Sequence, residues 1–221
     1  MRQAFVGIDI QQRRGCCFAA IGNDGIFLDS GWFRDPEREV VQLARRLKEK
    51  YKVSVGIDAP RQPLPSPRKW FWDGKGSRWR QRSDQRGYGR HCEIVVRAHG
   101  IANPQWTPLE KEAPPWMVIG FNMFSVLKDI VPSIHEVFPT ASYSLLQGVT
   151  DVRISIDFSS CRYGPKDILD AFVAAATVRE FVQGRGTEVG GGDRLGTIVL
   201  PRPLPEPVIG GVLRWPEQSA K

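Results

Sequence analysis

Val6-Gly7-Ile8-Asp9 and Val55-Gly56-Ile57-Asp58 repeat one tetrapeptide, VGID, within two apolar runs, AFVGIDI (4–10) and VSVGID (53–58). Short runs rich in β-branched residues read as buried strands. An ionised aspartate at the end of such a strand is costly unless something compensates it. Strand alternation puts Gly7 on the face of Asp9 and Gly56 on the face of Asp58. Each carboxylate therefore has a neighbour without a side chain on its own face, which predicts room there for an ion or a phosphate.

Residues 16–22 (CCFAAIG) and 25–33 (GIFLDSGWF) read as second and third strands, joined by the tight-turn sequence Asn23-Asp24-Gly25. A helix follows, with Asp35 as N-cap, Pro36 at its first position and Val40, Leu43, Ala44 and Leu47 on one face. Residues 53–58 are the fourth strand. Residues 114–130 read as helical in their second half, and Ser133 to Phe138 as a fifth strand stopped by Pro139. A short helix is expected near Ala141 to Gln147. A long one from about Pro165 to Gln183 is apolar on much of its surface, which places it between layers. Gly184 to Gly196 reads as a flexible connection, GTIVLP (196–201) as a last short strand, and 201–221 as a Pro-rich extended tail. The expectation is an α/β fold: one domain over 1–200, with a mixed five-stranded sheet whose first three strands are antiparallel, flanked by helices.

The 221 residues carry a formal net charge of +7, with 41% hydrophobic and 10% aromatic residues, which excludes a disordered chain. No apolar run approaches the roughly 18 residues that a membrane span needs. The N-terminus has no signal-peptide pattern, so a cytoplasmic location is expected. Cys16, Cys17, Cys92 and Cys161 form neither a disulfide framework nor a CxxC pair and read as reduced and structural. His91, Cys92 and His99 do not have a zinc spacing. Phosphate-loop, GxGxxG and GxSxG signatures are absent.

The whole charge excess sits in residues 61–100, where ten basic residues face three acidic ones. This basic, Trp-rich insertion interleaves Trp70, Phe71, Trp72, Trp79 and Tyr88 with arginines, and it opens with a Pro-rich stretch. Arginine beside aromatic rings suits a surface that tracks phosphates and stacks bases. Arg78, Trp79, Arg80, Arg82 and Arg86 are the candidate nucleic-acid-binding residues. The alternative is tryptophans packed on the domain with arginines stacked over them.

Three more acids complete the pattern. Glu136 lies near the end of the fifth strand, and Asp167 and Asp170 lie near the start of the long helix, where residues three apart share a face. Each has a structural explanation singly: a strand hydrogen bond for Asp9, an Asx-turn for Asp58, an arginine partner for Glu136, a cap for Asp167. Together, carboxylate oxygens at open positions suit Mg²⁺ or Mn²⁺, the ions of phosphoryl transfer. Asp9, Asp58, Glu136, Asp167 and Asp170 are the candidate metal ligands. Lys166 is a candidate contact for the scissile phosphate, with a solvated helix-start lysine as its alternative.

GID at Gly7 to Asp9, GIDAP at Gly56 to Pro60, RHCE at Arg90 to Glu93 followed by RAHGI, EVFP at Glu136 to Pro139 and KDILDAFVAAAT at Lys166 to Thr177 resemble the DUF429 family. The ordered set spans nearly the whole chain. That family is regarded as predicted nucleases of the ribonuclease H fold, and the last motif is similar to the final helix of RuvC-type Holliday-junction resolvases. The resemblance implies that Asp9 is the first-strand ligand, Asp58 the fourth-strand ligand, and Asp167 and Asp170 the helix ligands, with Glu136 as the fifth-strand acid. The basic insertion departs from the family.

The sequence thus points to a metal-dependent phosphodiesterase, a nuclease with a ribonuclease H-like fold. Two ions about 3.5–4 Å apart would be bridged by Asp9. The other reading is a catalytically silent nucleic-acid or protein binding module on the same fold. A kinase of the actin-like superfamily is disfavoured, because Ile-Gln-Gln-Arg-Arg follows Asp9 where a Gly/Thr-rich phosphate turn is needed.

Overall fold

A computed structural model describes residues 2–82, 87–157, 159 and 165–218; Arg86 and Cys161 lie outside the described residues. The order is β1 (Arg2–Asp9), β2 (Cys17–Gly22), β3 (Phe27–Trp32), α1 (Pro36–Lys48), β4 (Tyr51–Asp58), β5 (Trp70–Asp73) and β6 (Arg78–Gln81). Then come α2 (His91–Ala98), α3 (Pro115–Leu127), β7 (Ser133–Val137), α4 (Pro139–Leu146), α5 (Pro165–Val182), β8 (Thr187–Gly190) and β9 (Thr197–Leu200). The fold is mixed α/β, with helices on both faces of a central sheet.

That sheet has seven strands in the order β3-β2-β1-β4-β7-β9-β8, not the expected five. β1, β2 and β3 pair antiparallel, as the Asn23-Asp24-Gly25 hairpin requires. β1, β4, β7 and β9 run parallel, and β8 returns antiparallel on the far edge. One of the two further strands, β9, is the short GTIVLP strand joining the sheet, and the other, β8, comes from the Gly-rich stretch read as a flexible connection. Its Thr187–Gly190 segment pairs with β9 and buries Val189. Gly190 is essential to that edge: it has φ 91°, and a Cβ there would lie 2.4 Å from the Cα of Cys92 in α2.

Three apolar clusters hold the layers. On one face, Val6, Ile8, Val53, Val55 and Ile57 pack against Val40, Leu43, Ala44 and Leu47 of α1 and Met123, Phe124 and Leu127 of α3. On the other, Phe5, Ala19, Ile21 and Val137 pack against Ile168, Ala171, Phe172, Ala175 and Val178 of α5. The third cluster joins Cys92, Val95 and Val96 of α2 to β8, β9 and the C-terminal Val212 and Trp215, with Trp70, Trp72 and Trp79 packed against it.

The expected insertion therefore divides in two. β5 and β6 form a separate two-stranded hairpin, while residues 91–98 are a helix whose first six residues are all buried. The tail beyond Pro201 is also not merely extended, because Val212 and Trp215 are core residues. No helix among the described residues is long and apolar enough to cross a membrane.

Candidate metal centre

The two VGID strands lie side by side, so that Gly7 pairs with Gly56 and Asp9 with Asp58. Neighbouring strands lie about 4.8 Å apart, so the repeat delivers two carboxylates to one point at the C-terminal ends of the central strands. Both belong to the α5 face, because Val6, Ile8, Val55 and Ile57 occupy the other.

The glycines do not leave a void for an ion. A Cβ on Gly7 would lie 1.9 Å from the carbonyl oxygen of Ala171, and one on Gly56 would lie 2.6 Å from Cγ2 of Val178. Their role is to let α5 lie directly on the strands. With Ala171, Ala174 and Ala175 seated on β1, the first turn of α5 projects past the strand ends and brings Asp167 and Asp170 toward Asp9 and Asp58.

Burial pushes the Asp9 carboxyl up to about 7, opposed by a hydrogen bond with the Gln11 side chain and raised further by the charges of Asp170 and Asp167. Asp58 is held well above the ordinary carboxylate range by burial first, then by Asp9 and Asp170. Asp9 Oδ2 is buried with no hydrogen-bond partner. An orphaned carboxylate oxygen among like charges, eased only in part by the charge of Lys166, is a hard oxygen donor of the kind that fits Mg²⁺ or Mn²⁺.

Asp167 and Asp170 are each met by a cation. Arg14 Nη1 donates to Asp167 Oδ2 at 3.4 Å, Lys166 Nζ to Asp170 Oδ2 at 2.5 Å, and the Tyr143 hydroxyl to Asp170 Oδ1 at 2.8 Å. The hydrogen bond to Asp170 raises the Lys166 ammonium above its usual range. Among the described residues, no three His, Cys, Asp or Glu side chains are already closed into a metal cage.

Glu136 lines the same cavity and its charge also raises Asp58, but it projects from the other face of the sheet. Ile134 packs with the α1/α3 cluster and Val137 with the α5 cluster, so alternation turns Glu136 to the α1/α3 side. There its two oxygens accept from both terminal nitrogens of Arg90, and Oε2 also accepts from the Arg61 backbone N–H at 3.0 Å. Arg90 is itself fully buried and also donates to Glu93 and Thr107. Burial raises the Glu136 carboxyl, with Arg90 opposing it. The acid that completed the sequence pattern is a clamp between α2 and β7.

A cavity of about 730 Å³ opens at these strand ends, walled by Asp9, Asp58, Gln11, Arg13, Arg14 and Trp116, and also by Arg90 and Glu136. Asp167 and Asp170 lie outside that wall. Sequence reasoning missed Arg13, Arg14 and Tyr143 as parts of the site. The Gln-Gln-Arg-Arg run after Asp9 was the available signal, since the turn after a strand that ends in a functional acid borders the same opening.

The hairpin presents its residues in two sets. Trp79 faces inward: its ring lies 5.4 Å from Trp72 and 5.1 Å from Trp215, and its Nε1–H donates to Gly211 O at 3.1 Å. This is packing, not an open stacking platform. Arg78, Arg80 and Arg82 alternate to the other side. Arg80 pairs with Asp73 at 2.7 Å, Arg82 lies 5.5 Å from the Phe71 ring centroid, and Arg78 is exposed. Comparison with protein-family models, curated proteins and solved structures gave no match for the chain.

Proposed function

We propose that the protein is a divalent-metal-dependent phosphodiesterase acting on nucleic acid, with a ribonuclease H-like arrangement of β1, β4 and α5, as the resemblance to the DUF429 family implies. The observation that carries this reading is the orphaned, buried oxygen of Asp9, set beside Asp58 at the mouth of a cavity. Asp9 and Asp58 hold the ion, and Asp167 and Asp170 add charge from the α5 side. When bound, Mg²⁺ or Mn²⁺ supplies Lewis-acid stabilisation of the phosphoryl oxygens and a more acidic water.

The remaining work falls to the chain. Tyr143 fixes the orientation of Asp170 by its hydrogen bond. Lys166 and Arg14, at the helix start and on the β1–β2 turn, are placed to pair with a substrate phosphate on leaving their aspartates. Trp116 forms an apolar side of the cavity.

The binding-module reading is favoured by one feature, the ion pairs that already occupy Asp167 and Asp170. Cleavage assays on single-stranded, duplex and branched substrates with Mg²⁺ or Mn²⁺ separate the two. Asp9→Asn should abolish cleavage while sparing binding; equal cleavage by wild type and variant would overturn the proposal.

A further inference from the structure

A second cleft, of about 560 Å³, lies between the β5–β6 hairpin and the last turn of α2. Its cations are Arg68, Arg82 and Arg97, and its flat apolar walls include Trp72 and Trp106. No carboxylate lines it among the described residues. Arg97 and Arg68 both lie over the Trp106 ring, at 5.2 and 5.6 Å from its centroid. Arg82 adds a like charge that acts on Arg68, so the cleft gathers positive charge without a carboxylate on its wall among the described residues.

Arg68 is the more constrained. Its Nη1 donates to Gly89 O at 2.7 Å, while its buried Nε–H has no partner. Burial, and next the charge of Arg82, draws its guanidinium down to about 10. A buried orphan donor beside like charges is the mirror image of the situation at Asp9.

The ligand chemistry follows from size and wall. The cleft is far larger than an inorganic phosphate and falls in the usual range for small-molecule sites, roughly 300–1,000 Å³. Its aromatic surfaces suit a planar group next to the anion. We infer that the cleft binds a nucleotide, with its phosphate held by the cleft's arginines, Arg97 among them, and its base against the Trp72 wall. The assignment stands independently of hydrolysis at the aspartates.

The cleft also has a fixed relation to the acidic cavity. Arg90 at the start of α2 borders that cavity, and Arg97 in its last turn borders the cleft. Seven residues of helix span about 10 Å, so the two openings lie toward opposite ends of α2.

Calorimetric titration of the full chain with AMP, in EDTA so that no metal contributes, tests the assignment. AMP should bind, with adenosine and ribose 5-phosphate each weaker by about tenfold or more, because either lacks half of the contacts. Exposed Arg97 permits Arg97→Gln without loss of folding, and this variant should weaken AMP by about fivefold or more. Asp9→Asn should bind AMP as wild type does. Absence of AMP binding, unchanged binding by Arg97→Gln, or loss of binding in Asp9→Asn would each overturn the inference, the last by placing AMP in the acidic cavity.

Oligonucleotides separate the sources of the nucleotide. Tighter binding of a 5′-phosphorylated strand than of its 5′-hydroxyl form assigns a terminal or free nucleotide. Equal binding, with the salt slope reduced by about 0.7 in Arg97→Gln, assigns an internal one.

Discussion

Two groups of buried carboxylates lie near the ends of the central strands and are treated in opposite ways. Glu93 and Glu136 are satisfied by Arg90, Thr107 and the Arg61 backbone. Asp9 keeps an oxygen with no partner, and its neighbours Asp58, Asp167 and Asp170 add like charge. The chain can evidently neutralise a buried acid where the fold needs one. On the proposed function, Asp9 is left for a cation supplied from outside, since an unmet charge lowers stability without contributing to architecture.

The comparison is broken most severely by removing the arginine. Arg90→Met leaves Glu93 and Glu136 buried without a cation, and urea denaturation should show a loss of about 3–5 kcal/mol or failure to fold. A loss below about 1 kcal/mol would show that the clamp is dispensable.

Asp9→Asn should act in the other direction. The folded protein holds the Asp9 carboxyl at about 7 against an ordinary 3.8, so the protonated form is the one that favours folding. That contribution is complete below pH 4 and is lost as pH rises through about 7. Without divalent metal, wild-type stability should fall across this window. At pH 8 Asp9→Asn should be more stable, by on the order of 2–4 kcal/mol. Denaturation curves at pH 4 and pH 8 check this, and a variant less stable than wild type at pH 8 would contradict it.

Mn²⁺ sharpens the contrast. A concentration one hundred times the dissociation constant should stabilise the wild type by about 2.7 kcal/mol. Asp9→Asn and Asp58→Asn should abolish that gain, while Glu136→Gln, where it folds, should retain it. Gly7→Ala tests the packing beneath the site: its Cβ meets Ala171 O at 1.9 Å, so α5 must shift. A cost of about 1–3 kcal/mol, with weakened Mn²⁺ stabilisation, is expected.

The smallest effect belongs to Lys166→Met. Its ammonium is solvent-exposed although Asp170 is buried, and the Tyr143 hydroxyl still donates to Asp170 in the variant, so the stability change should be about 1 kcal/mol. An unaltered cleavage rate in this variant would remove Lys166 from the proposed phosphate contacts.

Much of this was legible in the residues. The VGID repeat announced paired strands that end in acids, and Asp35-Pro36 with Val40, Leu43, Ala44 and Leu47 announced α1. Local period and turn chemistry carry such information because it involves residues close in the chain. Helix α2 was not legible, since its Arg90, His91 and Glu93 look like part of a solvated basic run. Only partners remote in sequence, Thr107 and Glu136, make their burial tolerable. β8 was hidden for a related reason, because a Gly-rich edge strand exists only through its pairing with β9.

By itself, then, the sequence determined that aspartates would stand at strand ends and that one segment would hold the excess positive charge. Only the tertiary structure decided which acids are left unpaired and which arginines face a cleft. Charge type and strand period are written locally, but the neutralisation of a buried charge depends on which distant side chain arrives beside it. Asp9 and Glu136 look alike in the chain; the burial of Arg90 beside one of them makes them different.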